Sequence, residues 1–178
     1  MPVYLFKYMW WLALCVVPVA AAIALHYFWG AAHELAHLAA LKLFFRKDLL
    51  EYKIRLKWHR LQGENIWVPA SINYTLAREE TPLEHGFVAI APHIMHALCA
   101  ATFVFGAAFD NLFVRVGWFI FWGLGALDLV AAARTVNPYS DLYHAAECFN
   151  ISISKIKAVA CAWVVLCFGL GLLLCWVT

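Results

Sequence analysis

The sequence predicts an all-α, polytopic membrane protein of about four transmembrane helices, with a small cytosolic β-hairpin between the first and second. Three observations carry that expectation. Of the 178 residues, 65% are hydrophobic and only 13% are charged, outside the range of a water-soluble domain. The apolar residues fall into stretches that reach or exceed the roughly 20 residues needed to cross a bilayer. The single sizeable polar segment, residues 46–84, alternates in the manner of a strand. With no internal repeat or low-complexity tract, residues 1–178 read as one membrane-embedded domain.

The first apolar run extends from about Met9 to Phe45, the second from about Gly86 to Phe109, the third from about Leu112 to Val136 and the fourth from about Ile156 to Val177. The first is longer than an upright crossing requires, so it is expected to tilt, to bend near Pro18 or Gly30, or to project beyond the bilayer. No small-residue cleavage site follows the apolar N-terminus, so this segment is expected to be retained. In the polar segment, Tyr52, Ile54, Leu56 and Trp58 alternate with Lys53, Arg55, Lys57 and His59, the pattern of a half-buried strand. Arg60 to Asn65 supplies a turn containing Gly63, and Ile66 to Tyr74 is again β-prone, which makes a hairpin at the membrane surface. Its cationic face also suits anionic headgroups.

Composition excludes some partners. A formal net charge of +2, without a Lys/Arg stripe interleaved with aromatics, gives no nucleic-acid surface. The six cysteines (Cys15, Cys99, Cys148, Cys161, Cys167 and Cys175) form no C-x-x-C pair and read as small apolar side chains. Basic residues set the orientation. Arg46, Lys47, Lys53, Arg55, Lys57, Arg60, Arg78, Arg134 and Lys155 fall on the hairpin side of a four-span arrangement, against Lys7 and Arg115 on the other. Positive loops stay inside, so the hairpin is expected in the cytosol, both termini outside, and a site at the hairpin end of the first run would open to the cytosolic leaflet.

Chemistry concentrates in His33-Glu34-Leu35-Ala36-His37. On a helix, residues four apart share a face, so both imidazoles can reach one Zn2+ ion with Glu34 beside them as general base. Two neutral imidazoles and a third ligand leave a coordination position for water, whose proton Glu34 can take. An ionisable trio inside an apolar run points to function, because burying it without one is unfavourable. Asp128, in the third run, and Asp141, after Asn137-Pro138-Tyr139-Ser140, compete as third ligand. The residues alone leave both open: Asp128 alternatively pairs with Arg134 or a histidine, and Asp141 alternatively caps a helix restarting after Pro138. His93 and His96 are candidates to line the cleft, stabilise an oxyanion or offer a second metal position, or else to join helices by hydrogen bonds. His144, three residues past Asp141, could orient that carboxylate. His26, His59 and His85 read as interfacial, and Trp10, Trp11, Trp29, Trp118, Trp122 and Trp176 as interface or lipid-facing anchors.

HELAH in an apolar run, a hairpin after it, and Asn137-Pro138 ahead of Ser140-Asp141 resemble the site-2 protease family of intramembrane zinc metalloproteases. The stretch Ser140-Asp141-Leu142-Tyr143-His144-Ala145-Ala146 before a last span looks like its compact bacterial branch. The chain departs from the family pattern at Leu142, at the compressed Asn-Pro spacing and at Ala36 in place of glycine. The resemblance implies Asp141 as third ligand beside His33 and His37, Glu34 as base, and Asn137 as a residue that holds the substrate backbone or oxyanion. It implies a zinc metalloendopeptidase of the bacterial inner membrane, with a transmembrane protein as substrate; the sequence leaves open whether a regulatory membrane partner gates the site. A metal-holding relative acting in assembly or partner docking, and a zinc hydrolase of non-peptide bonds, are the rival expectations.

Overall fold

The computed structural model describes the backbone of residues 3–57, 59–60, 67–68 and 70–177, and the side chains of residues 16–17, 19–57 and 70–177. Most of the chain is helical, as its composition requires. Helix α1, Val3–Phe44, passes through Pro18 and Gly30 without interruption over 42 residues. At a rise of about 1.5 Å per residue it measures roughly 63 Å, about twice the hydrocarbon thickness of a bilayer. Among the described residues, three helical segments are long and apolar enough to cross a membrane: Pro82–Ala108, Leu112–Arg134 and Ile153–Val177. The first of these joins helix α2, Pro82–Phe103, to a 3-10 turn, Val104–Ala108; the second is α3 and the third α5. Between α3 and α5 lies α4, Asp141–Cys148, only eight residues long.

The polar segment folds as strands. β1, Leu49–Arg55, pairs antiparallel with β4, Ser71–Leu76, in a register that sets Ile54 opposite Ile72 and Tyr52 opposite Tyr74. Between them His59–Arg60 (β2) and Trp67–Val68 (β3) form a two-residue ladder. Residues 61–66, which carry most of the expected turn, lie outside the described residues, as do the side chains of Trp58, His59, Trp10 and Trp11. The alternation expected along β1 does not translate into burial, since Tyr52 is 46% and Leu56 57% exposed. The inward face belongs to β4. Ile72, Tyr74 and Leu76, with Leu49, pack on the buried Ala40, Leu41, Phe45 and Val88 where the end of α1 meets α2.

Local chemistry explains where the helices start and stop. Thr81 and Glu84 form a capping box with Pro82 in the first turn, which starts α2 four residues before the apolar run becomes obvious. Helix α4 ends in a Schellman arrangement: Asn150 stands at φ 54°, with Asn150 N–H donating to Glu147 O and Ile151 N–H to Ala146 O. Asn is one of the few residues to tolerate that left-handed conformation.

Helix α2 is the hub, in contact with α1, α3, α4 and α5. Its neighbours approach closely because small residues line the seams: Ala100, Ala126, Ala133 and Ala160 are buried with Leu129, Leu142, Val164 and Cys167. Gly86 admits α4, for a Cβ there would stand 2.8 Å from Cys148 Cβ. Conversely, Val159, Val165 and Leu172 on α5 are 69%, 72% and 63% exposed, an apolar surface that water disfavours and lipid accepts. Trp29 corrects an expectation: it is no lipid-facing anchor but is 4% exposed and packs its indole against Gly125 of α3.

Candidate metal centre

His33 and His37 lie one turn apart on α1 and turn their rings to the interior, where the first turn of α4 brings Asp141 to them. The segment after Arg134 makes this possible. Thr135 to Ser140 leaves the helical path as Asn137 Oδ1 accepts from Tyr139 N–H, Asn137 Nδ2 donates to Thr135 O, and Ser140 Oγ donates to Asn137 O. The chain then turns back into the protein, and Leu142, Ala145 and Ala146 bury α4 against its neighbours.

The convergence is tight. Asp141 Oδ2 lies 3.1 Å from His33 Nε2 and 3.2 Å from His37 Nε2. One ligand atom from each of the three residues falls within 4.8 Å of the others, and no further such cluster occurs among the described residues. A tetrahedral zinc ion with nitrogen and oxygen bonds of about 2.0–2.1 Å separates its ligand atoms by about 3.3 Å. The residues therefore fit that group. They also fit it in protonation: the Val88 carbonyl, 2.8 Å from His37 Nδ1, can only accept, so Nδ1 carries the hydrogen and the Nε2 lone pair is left for a cation.

Glu34 stands beside the triad without joining it. It is 9% exposed, and the backbone N–H of Ile72 on β4 faces its carboxylate. Two cavities meet at His33, Glu34 and Ala70. The first, about 320 Å³, is lined further by His37, Asp141, Ser71, Tyr74, Tyr139 and His144 among others. The second, about 390 Å³, lies on the other side of His33 and is lined by His26, Trp29, His93, His96, Asp128 and Thr135.

The two cavities separate Asp141 and His144 from Asp128, His93 and His96. Asp128 lies in the second cavity with His26, apart from the His33–His37–Asp141 cluster. His93 and His96 sit behind His33, each ring centroid 5.6 Å from that of His33, and neither contributes an atom to the cluster. Asn137 lines neither cavity; its amide holds the turn that delivers Asp141. His144 lines the first cavity, with its ring 5.6 Å from that of His85. Sequence reasoning missed His85, Tyr74 and Tyr139 as cavity residues. His85 Nδ1 lies 2.6 Å from Glu80 Oε2, and burial, followed by a hydrogen bond to the same Glu80, raises the Tyr74 phenol above its ordinary range. Only Tyr74 carried a signal, being on the apolar side of a period-two pattern.

Set beside models of protein families, curated proteins and solved structures, the chain matches none.

Proposed function

We propose that the chain is a zinc-dependent intramembrane endopeptidase, similar to the site-2 protease family, that hydrolyses a peptide bond in or near a transmembrane segment of a membrane protein. The observation that carries this reading is the meeting of His33, His37 and Asp141 at zinc-ligand spacing with a buried glutamate, Glu34, in the next position of the same helix turn. A purely structural zinc site has closed coordination and no use for a base. The three residues would hold Zn2+, which when bound lowers the pKa of water toward neutrality and polarises the scissile carbonyl.

The chain's own groups do the rest. Glu34 takes the proton from the attacking water and returns it to the leaving amine, a role suited to a carboxylate that is not itself a ligand. Val88 O holds His37 in the competent tautomer. A transmembrane helix hides its amides in internal hydrogen bonds, so the substrate must unwind to be cut. β4 supports this step, for it pairs with β1 on one side and turns Ile72 N–H toward Glu34 on the other, an edge along which an extended segment can add as a strand. In the bilayer, α1 serves as the fourth crossing, with its hairpin end in the cytosolic leaflet of the bacterial inner membrane and both termini outside. His33 and His37 lie about 10–16 Å from the C-terminal end of α1, inside the hydrocarbon and within reach of cytosolic water.

Purified protein reconstituted in lipid vesicles with a panel of single-span substrates tests the reading. Cleavage that a zinc chelator stops, that zinc restores, and that Glu34→Gln lacks while retaining metal is the expected result. A Glu34→Gln protein that cleaves at the wild-type rate overturns it.

A further inference from the structure

The two histidines of the triad are held from behind in different ways. His37 rests on a backbone carbonyl, whereas His33 Nδ1 faces the Nε2 atom of His96 at 3.4 Å. His96 is 2% exposed and its ring packs beside that of Trp29, with centroids 6.1 Å apart, so its position is set by the core. The Gly125 backbone carbonyl also lies beside the His96 ring, whose Nδ1 makes no closer hydrogen bond among the described residues, and neither nitrogen of the neighbouring His93 has a partner there. From these contacts, and resting on the metal reading of the triad, we infer that His96 is a positioning residue for the metal centre: its Nε2 lone pair accepts from His33 Nδ1–H and so directs the His33 Nε2 lone pair at the cation.

Proton count fixes the direction of this contact. A neutral imidazole carries one N–H. When His33 Nε2 ligates a cation, its hydrogen must reside on Nδ1, and a buried N–H requires an acceptor. His96 Nε2 lies within hydrogen-bond distance of it and can accept only if the hydrogen of His96 is on Nδ1. Imidazole ligands are generally held by such a second hydrogen bond, and loss of that partner weakens metal binding by roughly 10-fold to 100-fold. The tautomer of His96 is thereby fixed by a metal it does not touch. This also gives the second cavity a function: it supplies the rear support of a ligand whose front faces the first.

The test uses full-length protein in detergent with Zn2+ alone as probe, titrated against a chromophoric chelator. Relative to wild type, His96→Phe, which fills the space without an acceptor, is expected to bind zinc roughly 10-fold more weakly or worse, and His96→Gln, whose amide oxygen accepts, to recover most of that loss. Nitrogen-15 spectra of histidine-labelled wild type loaded with zinc read the tautomers directly and need no variant to fold; His96 is expected as the Nδ1–H form. Wild-type affinity in a folded His96→Phe protein, or a hydrogen on His96 Nε2 in the loaded wild type, overturns the inference. Absence of zinc binding by the wild type overturns the metal reading and the inference with it, and is distinguishable from the other outcomes.

Discussion

Asp141 and Asp128 both face the interior histidines, from different kinds of backbone. Asp128 is carried by α3, an uninterrupted helix of 23 residues, and its side chain ends in the cavity behind His33 with His26 and His96. Asp141 is carried by an eight-residue helix that follows a break at Asn137-Pro138 and reaches both Nε2 atoms in front. A carboxylate midway along a straight helix can approach a second helix only as near as the backbones allow, about 8–10 Å between axes. A side chain at the first turn of a helix leans toward the helix N-terminus, so Asp141 is carried to the histidines by the placement of the start of α4 itself. The general lesson is that the most conspicuous charge in an apolar run need not be the one that completes a site. On the proposed reading the break falls at membrane depth, where irregular backbone is tolerated if protein or a wet cavity surrounds it, and Asp141 with the neighbouring Tyr139 lines the first cavity.

The comparison can be broken most severely by exchanging the fates of the two aspartates. Asp141→Asn is expected to abolish hydrolysis in the vesicle assay, whereas Asp128→Asn reduces activity or folding with zinc retained. Abolition by Asp128→Asn with full activity in Asp141→Asn would move the ligand role to α3. Next in size, Gly86→Ala places a Cβ 2.8 Å from Cys148 Cβ and must push α4 away from α2. Overpacking of this kind costs about 1–3 kcal/mol, and because α4 carries Asp141 the zinc affinity should fall along with the thermal midpoint. A stable Gly86→Ala protein with wild-type zinc affinity would show that the seat of α4 does not set the position of its aspartate. The smallest effect is expected at the far end of the same helix, where Asn150→Ala forces a non-glycine Cβ without Asn's local hydrogen bonding into φ 54°. A loss of about 1 kcal/mol in thermal stability, with zinc retained, is expected there.

The same comparison shows what could be read in the sequence. The apolar runs at Leu112 and Ile156 correspond to α3 and α5 within a few residues, because hydrocarbon solvent dictates length and composition together. The start of α2 was legible but unread: Thr81-Pro82-Leu83-Glu84 is a capping signature, and it lies outside the apolar run. HELAH needed only helical periodicity to pair His33 with His37. The approach of Asp141 depends on α4 docking through Leu142, Ala145 and Ala146, a long-range event with no periodic signature in eight residues. For the same reason Trp29 read as an anchor: nothing local says that Gly125, 96 positions later in the chain, offers its bare backbone to the indole. The β1 alternation is real, yet which strand turns its apolar face inward was decided by the packing of β4 on Leu41, Phe45 and Val88.

On the proposed reading, His33, His37 and Asp141 together hold one zinc ion. Metal content of the purified wild type, measured by elemental analysis beside Asp141→Asn, Asp128→Asn and a His33→Ala, His37→Ala double variant, addresses it most directly. The account predicts close to one zinc per chain in the wild type and in Asp128→Asn, a roughly 10-fold or greater loss of affinity in Asp141→Asn, and almost none in the double variant. Full zinc occupancy in the double variant, or zinc lost from Asp128→Asn and kept by Asp141→Asn, would contradict it.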